Sequence, residues 1–230
     1  MVKSDSFTFD DFFSQYCYND VVKKNKRSFH FNQIKISNHP EVYEPAEDTF
    51  LLLDAIDVTN HDDVFEIGTG TGIIAIFCAQ QGSTVLCSDI NPYALELVKK
   101  NWQENQDKIN GSLEIRKGSL FSVLQPNEQF SLIIFNPPYL PTKKEERIGG
   151  TGWYDKAVSG GMNGLKVTSS FLLGISDHLM DDGRAFTIFS TKSPRTQFNE
   201  ILEKNKLKSN IVNSLSYSDE TIEVHRITTK

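Results

Sequence analysis

Fold class can be inferred from one segment, Asp63-Val64-Phe65-Glu66-Ile67-Gly68-Thr69-Gly70-Thr71-Gly72, in which a short apolar run ends in three glycines at alternate positions. The apolar run predicts a buried strand. The glycines predict a sharp turn that brings a ligand close to the backbone. A dinucleotide-binding turn would need glycine where Ile73 stands, and a P-loop would need Gly-Lys-Ser/Thr, so the sequence favours neither.

Helices and strands alternate on both sides of this turn. The periodicity of apolar residues predicts helices over 49–56, 73–81, 92–104, 164–179 and 196–204. It predicts strands over 63–67, 84–88, 113–116, 130–135, 185–189, 209–215 and 221–228, whereas the Lys/Glu/Gly-rich residues 142–152 predict a loop. This alternation is typical of an α/β fold, with a mostly parallel sheet covered by helices on both faces. The last two strands predict an antiparallel hairpin at the sheet edge.

The first 42 residues follow a different pattern, and we interpret them as an extension of one domain that spans residues 43–230. A short helix is predicted over 7–22. A basic cluster follows at residues 23–27, which we interpret as a solvated face. Residues 28–37 alternate apolar and polar side chains, and this pattern predicts a β-hairpin.

The composition argues against several classes of protein. The chain has 230 residues, of which 38% are hydrophobic, and this fits one globular domain rather than a disordered segment. Its 24 basic and 30 acidic residues give a net charge of −6, which disfavours direct binding of nucleic acid. Cys17, Cys78 and Cys87 stand far apart and indicate neither a disulfide framework nor a metal site. Because no apolar run is long enough for a membrane helix or forms a signal core, the chain is expected to be cytoplasmic.

Two acidic residues indicate which ligand the glycine turn would bind. Glu66 stands two residues before the first glycine, where its carboxylate would repel a pyrophosphate. Asp89 ends the next strand, 21 residues after Gly68, and is well placed for ribose hydroxyls. A ligand with a ribose, a positive centre and no phosphate fits this pair. S-adenosyl-L-methionine has all three properties.

A second motif, Asn136-Pro137-Pro138-Tyr139, follows directly after the strand predicted over 130–135. Two prolines end the strand and fix the backbone, so the Asn136 side chain and the Pro137 carbonyl are held in one orientation. Together they offer two acceptors to an NH2 group, and Tyr139 would stack on a planar amide or base. If this NH2 group is methylated, its nitrogen becomes acidic once it carries the methyl group, so no strong base is needed. Proximity and orientation of the reactants would then supply most of the rate enhancement. The motif therefore predicts methylation of a planar NH2 group.

These motifs, together with Tyr43-Glu44-Pro45-Ala46-Glu47-Asp48-Thr49, resemble the HemK-related release-factor glutamine methyltransferases, in particular their eukaryotic and archaeal branch. The resemblance covers residues 40–230 and implies the Rossmann-like class I methyltransferase fold, with a seven-stranded sheet and an antiparallel C-terminal strand. It implies that the substrate is the glutamine of a Gly-Gly-Gln loop in a class I release factor. Relatives of this branch often work with a small zinc-binding activator subunit, so such a partner is implied, and its zinc would belong to the partner.

Site residues follow from the motifs and from the resemblance. The predicted cofactor-binding residues are Asp48, Thr49, Glu66, Gly68, Thr69, Gly70, Gly72, Asp89, Ile90, Ser119, Leu120 and Asn136. The predicted catalytic residues are Asn136, Pro137 and Tyr139. The predicted substrate-binding residues are Pro138, Tyr139, Gly160 and Gly161, and no metal ligands are predicted. One departure is Ser119, which stands where the family usually has an Asp that contacts the adenine amino group.

Two alternatives stay open at this point. A methyltransferase for the amino group of adenine or guanine in nucleic acid would use the same Asn-Pro-Pro-Tyr motif. It would, however, need a basic face or a recognition domain to bind a base presented out of its stack. A non-catalytic adapter would keep the fold without turnover, but the intact motif and both acidic residues disfavour it.

Overall fold

The computed structural model describes residues 28–143 and 152–230. The helix predicted over 7–22, the basic cluster and Cys17 lie outside the described residues. Within them, the strands form a two-stranded hairpin and one seven-stranded sheet. In the described ranges, every helix is too short or too polar to cross a membrane.

The elements alternate along the chain as predicted. They are β1 (Ser28–Phe31), β2 (Ile34–Ser37), α1 (Glu47–Ala55), β3 (Asp63–Ile67), α2 (Ile73–Gln80), β4 (Thr84–Asp89), α3 (Pro92–Gln103), β5 (Ser112–Lys117), β6 (Phe130–Phe135), α4 (Gly152–Val158), α5 (Lys166–His178), β7 (Leu179–Ser190), α6 (Arg195–Lys204), β8 (Leu207–Ser216) and β9 (Thr221–Thr229). Two short 3₁₀ turns, Gln106–Lys108 and Leu120–Val123, flank β5.

The main sheet has the strand order β5-β4-β3-β6-β7-β9-β8. Neighbouring strands from β5 to β7 are parallel, whereas β9 runs antiparallel between β7 and β8. This confirms the predicted mostly parallel sheet with an antiparallel C-terminal strand. The chain winds outward from β3 to β5 and then crosses back to β6 on the other side of β3. In open α/β sheets a ligand binds at such a reversal, beyond the carboxyl ends of the strands.

Local sequence explains the elements beside the reversal. The central strands β3 and β6 are buried along almost their whole length, as expected for apolar parallel strands covered on both faces. Pro92 is the first residue of α3, and the Asn91 side chain caps this helix by accepting a hydrogen bond of 3.0 Å from the backbone N–H of Tyr93. Both features confirm the predicted helix start.

The predicted β-hairpin forms from β1 and β2 and packs into the core of the main domain. Asn32 and Gln33 at its tip have φ angles of 48° and 70°, as a two-residue type I′ turn requires. Four of its side chains are buried in one hydrophobic cluster with residues of α1 and β3: Phe29, Phe31, Ile34 and Ile36. The domain boundary after residue 42 stays a prediction.

Two elements differ from the predictions. β7 begins at Leu179 rather than at 185, because α5 leads into it directly and its polar first half shows no apolar alternation. A register shift between Phe130 and Leu132 of β6 accommodates these extra residues. The loop predicted over 142–152 was wrong at its end, since Gly152 is the first residue of α4. A helix of seven residues gives too few turns for its periodicity to be detected.

Candidate active site

A cavity lies beyond the carboxyl ends of β3, β4 and β6, at the strand-order reversal. Its wall is formed by the glycine turn after β3, the residues after β4 and β5, the residues after β6, and one side of α4. The residues before α1 complete the wall. The two sequence motifs, which are about 65 residues apart in the chain, therefore meet at one cavity.

The glycine turn adopts a backbone conformation that favours glycine at each of its three positions. The φ angles of Gly68, Gly70 and Gly72 are 67°, 55° and 82°. Gly68 and Gly70 line the cavity, whereas Gly72 faces α3. An added Cβ at Gly72 would lie 2.0 Å from Cγ2 of Val98, so this glycine also allows α2 and α3 to pack closely.

Glu66 lines the cavity and fixes the shape of the glycine turn. Its side chain is buried, and Oε2 accepts hydrogen bonds from the hydroxyl of Thr69 at 2.6 Å and from the backbone N–H of Ala75 at 3.1 Å. Burial raises the pKa of Glu66 to about 8, against the opposing effect of these hydrogen bonds. The Glu66 carboxyl therefore joins the turn to the first residues of α2. It is protonated in the cofactor-free protein at neutral pH, and a positively charged ligand group beside it would favour its ionised form.

Asp89, the last residue of β4, connects this strand to the turn. Its Oδ2 accepts a hydrogen bond of 3.0 Å from the backbone N–H of Gly70, and its Oδ1 accepts one of 2.8 Å from Asn91. Burial raises its pKa above the ordinary value, although the backbone hydrogen bonds oppose this shift. Ile90, which is 44% exposed, follows at the cavity edge.

The residues after β5 form the far wall of the cavity. Ser119 and Leu120 both line it, and Leu120 has a φ angle of 48°, which is uncommon for a leucine. The backbone N–H of Gly118 donates to the carbonyl of Asp89 at 3.1 Å, so this wall is tied to β4. Ser119 offers a hydroxyl here where a carboxylate would be expected from the resemblance.

Asp48, which is buried near the start of α1 and does not line the cavity, hydrogen bonds to the side chains of Asn136 and Tyr139. Asp48 Oδ2 accepts hydrogen bonds from Asn136 Nδ2 and from the hydroxyl of Tyr139, both at 3.1 Å. The other side-chain atom of Asn136, Oδ1, is buried and has no hydrogen-bond partner among the described residues. A buried acceptor without a partner is costly in a folded protein, so this atom marks a position that a donor should fill.

The comparisons with known proteins agree with this geometry. The model of the methyltransferase small domain family matches residues 33–151. A Methanocaldococcus jannaschii protein with the name "putative protein N5-glutamine methyltransferase" is 41% identical over 152 residues, which are 65% of this chain and 73% of that protein. Human methyltransferase HEMK2 is 30% identical over 197 residues, which are 82% of this chain and 90% of that protein. The chain belongs to the HemK-related glutamine methyltransferases.

Two further likenesses are consistent with this family. The catalytic subunit mtq2 of the Schizosaccharomyces pombe eRF1 methyltransferase is 28% identical to this methyltransferase over 214 residues, covering 85% of this chain and 93% of that protein. Among solved structures, the E. cuniculi Mtq2–Trm112 complex matches with a TM-score of 0.61 at 21% identity, over 83% of this chain and 99% of that chain. The second likeness shows the class I methyltransferase fold.

The cofactor of this methyltransferase is S-adenosyl-L-methionine, and the residues around the cavity fit it. The buried carboxyl of Glu66 and the half-buried carboxylate of Asp89 suit an ammonium group and ribose hydroxyls and disfavour a phosphate. Thr71 also lines the cavity, and its buried hydroxyl has no partner within the described part of the chain. The glycine turn leaves the backbone open to close approach.

Most of the predicted site residues line this cavity. They are Thr49, Glu66, Gly68, Thr69, Gly70, Asp89, Ile90, Ser119, Leu120, Asn136 and Pro138. The other predicted site residues are not among those that line the cavity: Asp48, Gly72, Pro137, Tyr139, Gly160 and Gly161. The backbone N–H of Gly160 donates to the carbonyl of Leu140 at 2.8 Å, so the glycine segment packs behind the Asn136–Tyr139 motif in this methyltransferase.

One part of the wall, which α4 supplies, was not predicted from the sequence. Trp153 and Lys156 line the cavity, with the Lys156 ammonium 4.2 Å from the centre of the Trp153 ring. Tyr154 lies beside Tyr43, with ring centres 6.1 Å apart. The signal that could have found them is the pair of aromatic residues shortly after the Asn-Pro-Pro-Tyr motif. The loop predicted over 142–152 ends just before them, and the sequence predicts no element for them.

Proposed function

We propose that this methyltransferase transfers the methyl group of S-adenosyl-L-methionine to the side-chain nitrogen of the glutamine in the Gly-Gly-Gln loop of a class I translation release factor. The observation that carries the proposal is the buried Asn136 Oδ1 at the cavity, which lacks a donor among the described residues. A primary amide supplies such a donor. The names of the relatives, a protein N5-glutamine methyltransferase and an eRF1 methyltransferase subunit, support the choice of substrate.

The residues of the chain would act mainly by binding and orientation. Asn136 Oδ1 and the Pro137 carbonyl would accept the two hydrogens of the substrate amide, which turns the nitrogen lone pair out of conjugation. Tyr139 would hold the planar amide from the side. The cofactor supplies a methyl group bonded to a positively charged sulfur. The nitrogen needs no strong base, because it becomes acidic once it carries the methyl group and can release its proton to solvent.

Cofactor binding would rest on the residues that line the cavity. Asp89 would accept hydrogen bonds from the ribose, and Glu66 would face the positively charged amino group. Ser119, Ile90 and Leu120 would enclose the adenine, with the Ser119 hydroxyl as a weaker partner for the base than the usual carboxylate.

The proposal includes a partner and a cellular location. The S. pombe relative is named as a catalytic subunit, and the E. cuniculi Mtq2 was solved as a complex with Trm112, so we propose that a small zinc-binding activator subunit assists this chain. A release factor as substrate would place the reaction in the cytoplasm. Direct methylation of nucleic acid is disfavoured by the net charge of −6.

The deciding experiment measures transfer of labelled methyl from S-adenosyl-L-methionine. A class I release factor and its Gly-Gly-Gln variant with Gln replaced by Ala are offered with and without the activator, beside structured RNA and duplex DNA. Label on the intact loop alone supports the proposal. Label on RNA or DNA instead would keep the chemistry and overturn the substrate.

Two substitutions separate the proposed roles of the residues. Asn136→Ala should lower methyl transfer by about 10²- to 10³-fold while the calorimetric affinity for the cofactor stays within about threefold. Asp89→Ala should weaken cofactor binding by at least about tenfold. Asn199→Ala, on the exposed face of α6, is the matched control and should change neither quantity. A parallel loss of cofactor affinity in Asn136→Ala would count against its proposed role.

A further inference from the structure

The Asp48 side chain accepts five hydrogen bonds from groups within the protein. It is 6% exposed and does not line the cavity. Its Oδ1 accepts from the backbone N–H of Thr49 at 2.6 Å, from the Thr49 hydroxyl at 3.2 Å and from the Tyr43 hydroxyl at 3.2 Å. Its Oδ2 accepts from Asn136 Nδ2 and from the Tyr139 hydroxyl. Both oxygens are therefore used within the protein.

The hydrogen bond between Asp48 and Asn136 fixes which way the Asn136 amide faces. A carboxylate can only accept hydrogen bonds, so the NH2 end of Asn136 must face Asp48. The carbonyl end, Oδ1, must then face away, and this is the buried atom without a partner among the described residues. In the opposite orientation, Asn136 would present a donor to an incoming NH2 group, which is itself a donor.

We infer that Asp48 is a positioning residue: it holds the side-chain carbonyl of Asn136 toward the cavity, so that this site accepts an NH2 group, and it anchors the hydroxyl of Tyr139. The inference rests on the proposed chemistry at Asn136 but not on which NH2-bearing substrate is methylated. It assigns Asp48 a role different from cofactor binding, which the sequence analysis had predicted for it.

The substitution Asp48→Asn tests the direction of the amide with little change in volume. The backbone N–H of Thr49 cannot rotate away, so an asparagine at position 48 must keep its carbonyl toward Thr49. Its NH2 group would then face Asn136 and Tyr139. The Tyr139 hydroxyl can turn and accept, but Asn136 can accept only by reversing its amide, which directs its own NH2 group into the cavity.

The experiment is a double-mutant cycle with a built-in rescue. Asp48→Asn should lower kcat at least 30-fold, and so should Asn136→Asp, which brings two carboxylates together. The double variant Asp48→Asn with Asn136→Asp exchanges the amide and the carboxylate, so that an acceptor oxygen again faces the cavity. Its kcat should be at least tenfold higher than that of either single variant. The affinity of each folded variant for S-adenosyl-L-methionine, measured by calorimetry, should stay within about threefold of that of the unaltered protein.

Asp62→Asn is the matched control for loss of a buried carboxylate. Asp62 is also 6% exposed and accepts several hydrogen bonds, but it lies before β3, at the opposite end of the sheet. The substitution Asp62→Asn should lower thermal stability and leave the kcat of the folded protein unchanged. If Asp48→Asn does not fold, the comparison of Asn136→Asp with the double variant still measures the rescue.

Failure of this inference can be told apart from failure of the proposed function. The cycle is run with whichever substrate the unaltered protein methylates, release factor or nucleic acid. A kcat for Asp48→Asn within threefold of that of the unaltered protein would overturn the positioning role. A double variant no more active than the single variants would overturn it as well.

Discussion

Three acidic side chains hold the cavity wall in shape through hydrogen bonds within the protein. Glu66 joins Thr69 to Ala75, Asp89 joins Gly70 to Asn91, and Asp48 joins the start of α1 to the residues after β6. Glu66 and Asp48 are buried and Asp89 is half-buried, and an acidic group removed from water is costly unless it is hydrogen bonded. These side chains therefore contribute to the shape of the site as well as to its charge.

Replacing Gly72 with alanine should destabilise the fold by about 2–4 kcal/mol, because a Cβ would collide with Val98 and the φ angle of 82° is unfavourable for alanine. Urea unfolding gives the change in the free energy of unfolding. The control is Gly152→Ala, since an added Cβ there has no atom within 4 Å. Equal stability of the two variants would contradict the close packing of α2 on α3.

Glu66 should make stability depend on pH. Its pKa is about 8 in the folded protein, and its ordinary value is 4.5, so between these values the folded protein holds a proton that the unfolded chain has released. The stability that this group contributes is therefore present at low pH and falls as pH rises from 5 to 8, by about 3–4 kcal/mol. Glu66→Gln has no proton to lose.

The difference in unfolding free energy between Glu66→Gln and the unaltered protein should consequently grow in favour of the variant from pH 5 to pH 8. Urea unfolding of the cofactor-free protein at pH 5, 6.5 and 8 measures it. A difference that is the same at all three values would show that Glu66 is not held protonated in the fold.

Two buried asparagines bind the backbone of the β-hairpin: Asn101 in α3, and Asn105, two residues beyond the end of this helix. Asn101 accepts from the N–H of Ser37 at 2.9 Å and donates to the carbonyls of Ser37 and of Thr71. One turn later, Asn105 accepts from the N–H of Lys35 at 2.8 Å and donates to the carbonyl of the same residue. Among the described residues, β2 pairs only with β1, and the two side chains occupy its other edge in place of a strand. Through Thr71, Asn101 also connects the hairpin to the glycine turn.

Substituting these asparagines with alanine should release the hairpin locally. Each loss leaves buried backbone groups unpaired and should cost about 1–3 kcal/mol. In hydrogen exchange, Asn101→Ala should most strongly accelerate the amide of Ser37, and Asn105→Ala that of Lys35, so each variant is the control for the other. A uniform acceleration of both amides in both variants would argue against separate anchoring.

At the scale of the whole molecule, the cavity and an ionic cluster lie at opposite ends of the sheet. Arg184 of β7 donates to both carboxylate oxygens of Asp62 at 2.6 and 3.0 Å, to Asp57 at 2.6 Å and to the carbonyl of Ser131. Although burial opposes it, hydrogen bonding by Arg184 and Ser131 holds the pKa of Asp62 well below its usual range. This cluster connects the amino-terminal ends of β3 and β6 to β7.

Arg184→Met should therefore cost about 3 kcal/mol or more of stability, because it leaves the buried Asp62 carboxylate without its cation. Thermal or urea unfolding measures the loss, and kcat per folded molecule should be unchanged. Lys99→Met, which removes an exposed ion pair with Glu96, should cost less than about 0.5 kcal/mol. If Arg184→Met lost as little unfolding free energy as Lys99→Met, water rather than Arg184 would be sufficient to solvate the Asp62 carboxylate.

Much of the fold could be predicted from the chain because its signals are local. Apolar strands that end in glycines or prolines set the bounds of β3 and β6 to the residue, and the Asn91-Pro92 pair set the start of α3. The same motifs indicated the cofactor and the chemistry, since most of the predicted cofactor residues follow directly after strands that end at one edge of the sheet.

Other features depended on contacts between distant parts of the chain. Asp48 meets Asn136 across 88 residues, and the hairpin meets Asn101 and Asn105 across 64 and 70 residues. The helix α4 is too short to show a period, and the polar residues near the start of β7 lie at a register shift against β6, which apolar alternation does not reveal. Periodicity reports what one element buries, not which elements lie side by side. The direction of the Asn136 amide follows from strand order and packing, which bring one buried acceptor behind it.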